Sequence, residues 1–452
     1  MAVSEKSGTA FREPSAFRSQ VVDRMRAEGN IWQLPGGRLV LPRVFGFCRG
    51  VERALAMLEE ACSANEAARL PTPRSPRPTL FLLGQIIHNP WVNEHFRRRG
   101  VVILSEAEIA RLEQVVTPAD CAVIPAFGVR PEVRRRLAAI GCRVVDTSCG
   151  DVRRLWAWAR RAAGEGYGVM IFGRARHDET VVTKSILDEA GGKYVVAGDL
   201  EQVRRFCELL GTVPLSGTVP SCSVSDPSGG QSQTAGQSPM AAFAEVFGRE
   251  ATNATSIEPF FRLAQVSQTT MLYDETMVVR RMVREAFERR FGAEMDSGTV
   301  PPSGTVPSCS VRDGSGGQSQ TAGLSPARLV FQPTVCRATQ DRQAAAVELC
   351  RSGCDLVVVV GGFGSSNTRH LHELARQYAP AYFIEDAGAI VSASELRTAD
   401  PDTGTAVAVR DWLPGRRRAA GERPLTIAVL AGASTPECVV GEVLQRLAGF
   451  LQ

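Results

Sequence analysis

Twelve cysteines stand at positions 48, 62, 121, 142, 149, 207, 222, 309, 336, 350, 354 and 438, and three of them share one setting. Cys48 in FGFCRGVERAL, Cys149 in VVDTSCGDVRRLW and Cys336 in PTVCRATQDRQAAAV each follow an apolar run and open an amphipathic one. A thiol at a helix N-terminus faces unpaired N–H groups and the positive end of the helix dipole, which lower its pKa and favour thiolate. Three such thiolates from three similar units can converge on one centre. Three ligands, not four, would leave one iron of a cubane cluster open, as catalytic zinc keeps a free position. Spacing alone favours the plainer alternative, three buried structural cysteines. The chain has no CxxC, so neither a zinc ribbon nor a ferredoxin-type run fits. Cys62, Cys207 and Cys350 sit within apolar helical patterns, and Cys350 with Cys354 reads as packing.

Two further loops have the composition of anion sites. GGFGSSNTRHLHELA places Gly361, Gly362 and Gly364 before Ser365, Ser366, Asn367 and a helix, and AGASTPECVV places Ser434 and Thr435 at a similar turn. Small residues let backbone approach an oxyanion, while hydroxyls and an amide donate at a helix start. Simple N-capping explains either loop alone equally well, and neither is a G-x-G-x-x-G or Walker motif. Of five histidines, His88 in LGQIIHNPWV and His177 in FGRARHDETVV directly follow apolar runs, the second beside Asp178 and Glu179. A His and a carboxylate at a strand's end can bind an anion and deliver protons. His370 and His372 read as solvent-facing or packed.

These residues need strands to end beneath them and helices to start behind them. RLVLPRVFGF, TLFLLG, CAVIPAF, RVVDTS, GVMIFG, KYVVAG, RLVFQP, LVVVVGG, AYFIED and LTIAVLAG read as strands. GVERALAMLEEAC, PEVRRRLAAIG, TMVVRRMVREAFERRF and DRQAAAVELCRSG read as helices between them. Such alternation predicts βαβ units and parallel sheets, with ligands at the carboxyl ends of the strands. At 452 residues, 44% hydrophobic and 22% charged, the chain is an α/β protein of two or three domains. A net charge of +4 argues for neither nucleic acid nor an anionic membrane. The absence of a long apolar run and of a secretory leader predicts a cytoplasmic location. Ser216 to Pro239 recurs almost unchanged as Ser303 to Pro326, a Ser-, Gly- and Pro-rich repeat best read as a duplicated low-complexity insertion.

Taken in order, GFCRGVERA, IIHNPWV, DTSCGDV, GRARHDE, SQTT, VCRATQDRQ, SSN and AGAST resemble the 4-hydroxy-3-methylbut-2-enyl diphosphate reductase family, from about Leu39 to Gln452. The resemblance implies three pseudo-threefold α/β units with parallel sheets around a central cavity. The expected division is an N-terminal extension over 1–38, a first unit over 39–148 with Cys48, a second over 149–335 with Cys149, and a third over 336–452 with Cys336. The second unit carries inserts at about 211–256 and 296–326, and the last strand and helix return to the first. The resemblance further implies one 4Fe-4S cluster on Cys48, Cys149 and Cys336, with one iron open to the substrate's hydroxyl oxygen. Glu179 would supply the proton, Thr269 and Gln268 would orient substrate and a water, and His88, His177, Ser365, Ser366, Asn367 and Ser434 would hold the diphosphate. The implied reaction takes two electrons and two protons, expels water and yields isopentenyl and dimethylallyl diphosphate, with ferredoxin or flavodoxin as donor.

Three positions depart from the family pattern. Ala126-Phe127-Gly128 stands where the family has Ala-His-Gly, Gly150 replaces a proline, and Asp178 replaces a proline between His177 and Glu179. Losing an imidazole donor to a diphosphate removes a hydrogen bond worth about 1.5–3 kcal/mol, so weaker binding or an altered substrate is expected. The alternatives are a non-catalytic 4Fe-4S redox or iron sensor with a drifted pocket, and a cluster-free α/β protein binding another phosphate ester.

Overall fold

A computed structural model describes residues 15–67, 78–212, 243, 245–292, 328–400, 404–414 and 425–452. The direct repeat, with Cys222 and Cys309, lies outside them. Every one of the ten expected strand segments contributes a strand, and three parallel sheets result.

The first sheet holds β3 (Leu80–Leu83), β4 (Val101–Leu104), β5 (Cys121–Ile124) and β6 (Arg143–Asp146) in the order β4-β3-β5-β6, all parallel. The second holds β7 (Gly168–Phe172), β8 (Tyr194–Ala197), β9 (Leu263–Ser267) and β10 (Leu329–Phe331) in the order β10-β9-β7-β8, again all parallel. The third runs β1 (Ile31–Leu34), β2 (Gly37–Val40), β15 (Leu425–Ala431), β11 (Leu356–Val360), β12 (Ala381–Ile384), parallel except for the β1–β2 hairpin. β13 (Glu395–Ala399) and β14 (Ala406–Arg410) form a separate antiparallel pair. Central strands such as LVVVV and LTIAVLA are buried along their whole length, as expected of parallel strands covered on both faces by crossover helices.

The described chain divides into two compact units. One comprises residues 1–153, 269–272 and 335–452, and therefore the first and third sheets. The other comprises 154–268 and 273–334, and therefore the second sheet. Within the first unit, β2 pairs with β15, so the beginning and end of the chain share a sheet.

Residues 15–38 are built into this unit. Ser19 caps the helix Gln20–Ala27. Phe17, fully buried, packs edge-on to Phe47 at 5.5 Å, directly before Cys48. In the second unit, Phe243 and Phe247 pack with Phe206 and Phe260. Phe243 and Phe247 are thus core, although low-complexity composition reaches almost to them.

Candidate functional site

In the first unit, each cysteine of interest stands where the sequence places it, at the turn before a helix. Cys48 precedes Arg49–Ala67, Cys149 precedes Gly150–Gly164, and Cys336 caps Arg337–Arg351. Each backbone is anchored to a different segment. The N–H of Cys48 donates to Ala433 O at 3.2 Å, that of Cys149 to Ala126 O at 2.9 Å, and that of Cys336 to Thr269 O at 3.0 Å. Gly50 separates two of the sulfurs: a Cβ there would lie 2.7 Å from Cys149 Sγ and 3.7 Å from Cys48 Sγ. Any side chain at position 50 would fill the space these thiols share.

At Cys149 and Cys336 burial works against the helix end. Burial pushes the Cys149 thiol up, against N–H groups of Asp151 and Val152 that pull it down. Burial pushes Cys336 up to about 12, although Thr339 N–H and its hydroxyl reach the sulfur at 3.4 and 3.1 Å. Desolvation outweighs the helix end when sulfur has only protein around it. Such thiols become thiolates when a metal takes the proton's place. Among the described residues no three His, Cys, Asp or Glu side chains converge tightly enough for a single metal ion. Soft sulfur donors are the kind of ligand that iron–sulfur groups take.

The hydroxyl loops join the same network. Ser365 caps the helix Ser366–Ala375, accepting from Thr368 N, and receives hydrogen bonds from Thr368 Oγ1 at 2.9 Å and Ser434 Oγ at 3.3 Å. Asn367 accepts from Ala433 N at 3.0 Å and donates to Thr339 Oγ1 at 3.4 Å, the hydroxyl that contacts Cys336 Sγ. Ser365, Ser366, Asn367 and Ser434 are all buried. Gly362 lets this loop press on the turn after β3, since a Cβ there would meet His88 O at 2.5 Å. His88 stacks on Phe127, ring centroids 4.2 Å apart and planes at 18°. His370 and His372 are packed: their ring nitrogens contact Thr270 O and Ala381 O.

In the second unit, three more of the expected residues gather. His177 caps the helix Asp178–Glu189, its Nδ1 accepting from Glu179 N at 3.3 Å. Glu179 is 1% exposed. Gln268, at the end of β9, accepts from Arg174 N at 3.1 Å, and Gly173 allows the close approach. Thr269, its sequence neighbour, falls with the first unit and bonds Cys336 through its carbonyl. The sequence reading missed β9 itself, and missed Thr339 and Arg342. Both lie inside the VCRATQDRQ motif, but the Arg342 contacts with Gly46 and Phe47 cross almost three hundred residues, and the Thr339 contact with Asn367 comes from another helix.

Comparison with known proteins is consistent across the chain. The family model described as "LytB protein" matches residues 39–448. The 4-hydroxy-3-methylbut-2-enyl diphosphate reductase of Thermosynechococcus vestitus is 29% identical over 95% of this chain and 89% of its own. That of Gloeobacter violaceus is 30% identical over 95% and 87% respectively. The structure of the E-1-hydroxy-2-methyl-but-2-enyl-4-diphosphate reductase from Plasmodium falciparum shares the fold, with a TM-score of 0.54 and 17% identity over 90% of this chain and 86% of that one. With nearly the whole chain matched and its cysteine, hydroxyl and histidine motifs in order, the protein belongs to the LytB family.

Proposed function

We propose that the chain is a reductase that removes the hydroxyl of (E)-4-hydroxy-3-methylbut-2-enyl diphosphate to give isopentenyl and dimethylallyl diphosphate. Membership of a family whose relatives carry that activity in their names supports the reaction. The single structural observation that carries it is the linkage of two helix-start cysteines, Cys48 and Cys336, to a buried hydroxyl and amide loop in the unit that also holds Cys149.

Cys48, Cys149 and Cys336 would hold one 4Fe-4S cluster. When bound, that group supplies low-potential electrons and an open metal position. The protein's own residues do the rest. Ser365, Ser366, Asn367 and Ser434, with His88 and His177, would receive the diphosphate, and the hydrogen bonds that hold Ser365, Asn367 and Ser434 lower the ordering cost of binding. Glu179 holds the proton that leaves with the hydroxyl as water, and the His177 cap fixes the backbone on which Glu179 stands. Its burial keeps bulk water from competing for that proton. Thr269 and Gln268 orient the substrate's hydroxyl end. A ferredoxin or flavodoxin class donor would deliver the electrons one at a time. No helix among the described residues is long and apolar enough to cross a membrane.

Phe127 is the one observation favouring a non-catalytic iron–sulfur sensor, because it takes an imidazole away from the anion pocket. One experiment separates the two. Anaerobically reconstituted protein is given the substrate with a reduced one-electron donor, and products are identified by chromatography. Formation of both five-carbon diphosphates at two donor equivalents per turnover is expected. A loaded protein that oxidises no donor would replace the reductase reading with the sensor.

A further inference from the structure

Arg342 is 5% exposed and sits on the helix that Cys336 caps. Its guanidinium is occupied by backbone carbonyls. Nε donates to Gly46 O at 3.1 Å, Nη2 to Gly46 O at 2.7 Å and to Phe47 O at 2.8 Å, and Nη1 to Ala338 O at 2.9 Å. Gly46 and Phe47 lead directly into Cys48, so one side chain ties the Cys48 loop to the Cys336 helix.

Asp341, next in sequence, pairs with Arg337 instead. Among the described residues no carboxylate makes an ion pair with Arg342. The groups whose charge bears most on it are, in order, Cys48, Cys336, Asp341 and Glu52. A guanidinium stays protonated even where burial disfavours it, and a buried cation without a close anion is costly. Carbonyl dipoles satisfy its N–H groups but do not neutralise its charge. Foremost among those charged groups are the sulfurs of Cys48, which follows the carbonyls Arg342 binds, and of Cys336, which caps its helix; both become anionic ligands when a metal group is bound.

We propose that Arg342 is the buried counter-charge of the Cys48 and Cys336 thiolates, and that it favours the reduced, more negative state of the group they hold. This rests on the reading that the three cysteines bind an iron–sulfur cluster. Reduction adds one electron from an external donor, breaks no bond and makes the site more negative by one charge. A fixed positive charge in a dry region therefore stabilises the product of reduction over its reactant.

The test is a mediated redox titration of the reconstituted protein, with dithionite as reductant, viologens as mediators and spin resonance of the reduced cluster as readout. Wild type is compared with Arg342→Gln, which keeps donors but removes charge, and Arg342→Lys, which keeps charge but loses the fork. The Gln variant is expected to lose at least tenfold in its equilibrium constant for reduction, a 59 mV fall for a one-electron couple. The Lys variant is expected to stay within threefold of wild type. A Gln variant that loads a cluster with an unchanged midpoint overturns the proposal. Should Gln fail to load, loading by Lys supports a charge requirement, whereas failure of both reduces Arg342 to a structural clamp and overturns it. A wild type that binds no cluster contradicts the underlying reading instead, a result distinguishable from all of these.

Discussion

In the first unit, Cys48, Cys336, Thr269, Asn367 and Ser434 come from separate stretches of chain and are tied together by hydrogen bonds between loops. In the second, Glu179 and His177 share one helix start, and Gln268 reaches the preceding turn from the end of a single strand. On the proposed function, the contrast follows from what each set would hold. A metal cluster and a diphosphate bring several charges at once, and donors that shift on their arrival give back much of the binding energy. Many crossing bonds keep such donors in place. A proton donor needs only one carboxyl group held in one direction away from bulk water, which a capped helix start supplies.

The largest test of this contrast is Cys336→Ser. Visible absorption and iron content of the reconstituted protein should fall away and turnover should drop to background, because the thiolate ligand is removed while a hydroxyl still caps the helix and reaches Thr339. Retention of a full cluster would show that the first unit is not organised around this sulfur. Glu179→Gln should instead leave the cluster spectrum intact and lower kcat by about 10²- to 10⁴-fold, the usual worth of a positioned proton donor. Loss of cluster in that variant would erase the distinction between the two units.

Phe127→His probes the anion pocket more gently. The new imidazole gains a hydrogen bond to a charged ligand, about 1.5–3 kcal/mol, and gives up part of a stack worth about 0.5–1.5 kcal/mol. Inhibition by inorganic pyrophosphate should tighten by about tenfold. No gain would mean that Phe127, stacked on His88, already serves the pocket as well as a histidine.

The smallest effect expected is in acid. Burial alone would raise Asp146, but hydrogen bonds from Arg134 and Ser148 outweigh it and hold the carboxyl far below its ordinary range. A folded pKa below the unfolded one gives stability that is present above the unfolded value and lost as pH falls towards the folded one. Chemical denaturation between pH 6 and pH 2 should therefore show wild type losing more stability below about pH 4 than Asp146→Asn does. Equal slopes would mean the turn leading to Cys149 does not depend on this charge.

Much of this was legible before the structure. Strand runs such as LVVVVGG and the caps after them are local signals, since burial on both faces demands continuous apolar residues and a helix start demands a capping group. The three cysteines and the SSN and AGAST turns could be found for that reason. Strand β9 was missed because LAQVS carries Gln265 and Ser267 in a buried strand, which breaks the apolar run. The burial that opposes the helix end at Cys149 and Cys336 was not visible in sequence because it is a property of the packed unit, whereas the helix end is a local feature. Arg342 could be seen in sequence only as one arginine among many. Its meaning lies in carbonyls almost three hundred residues away in the chain.

The most direct measurement on the central claim is a Mössbauer spectrum of anaerobically reconstituted, iron-57-loaded protein with and without the diphosphate substrate. Three cysteines holding one cubane predict four irons per chain, of which one responds to substrate and three do not. Four irons that all ignore the substrate, or no cubane at all, would contradict the account.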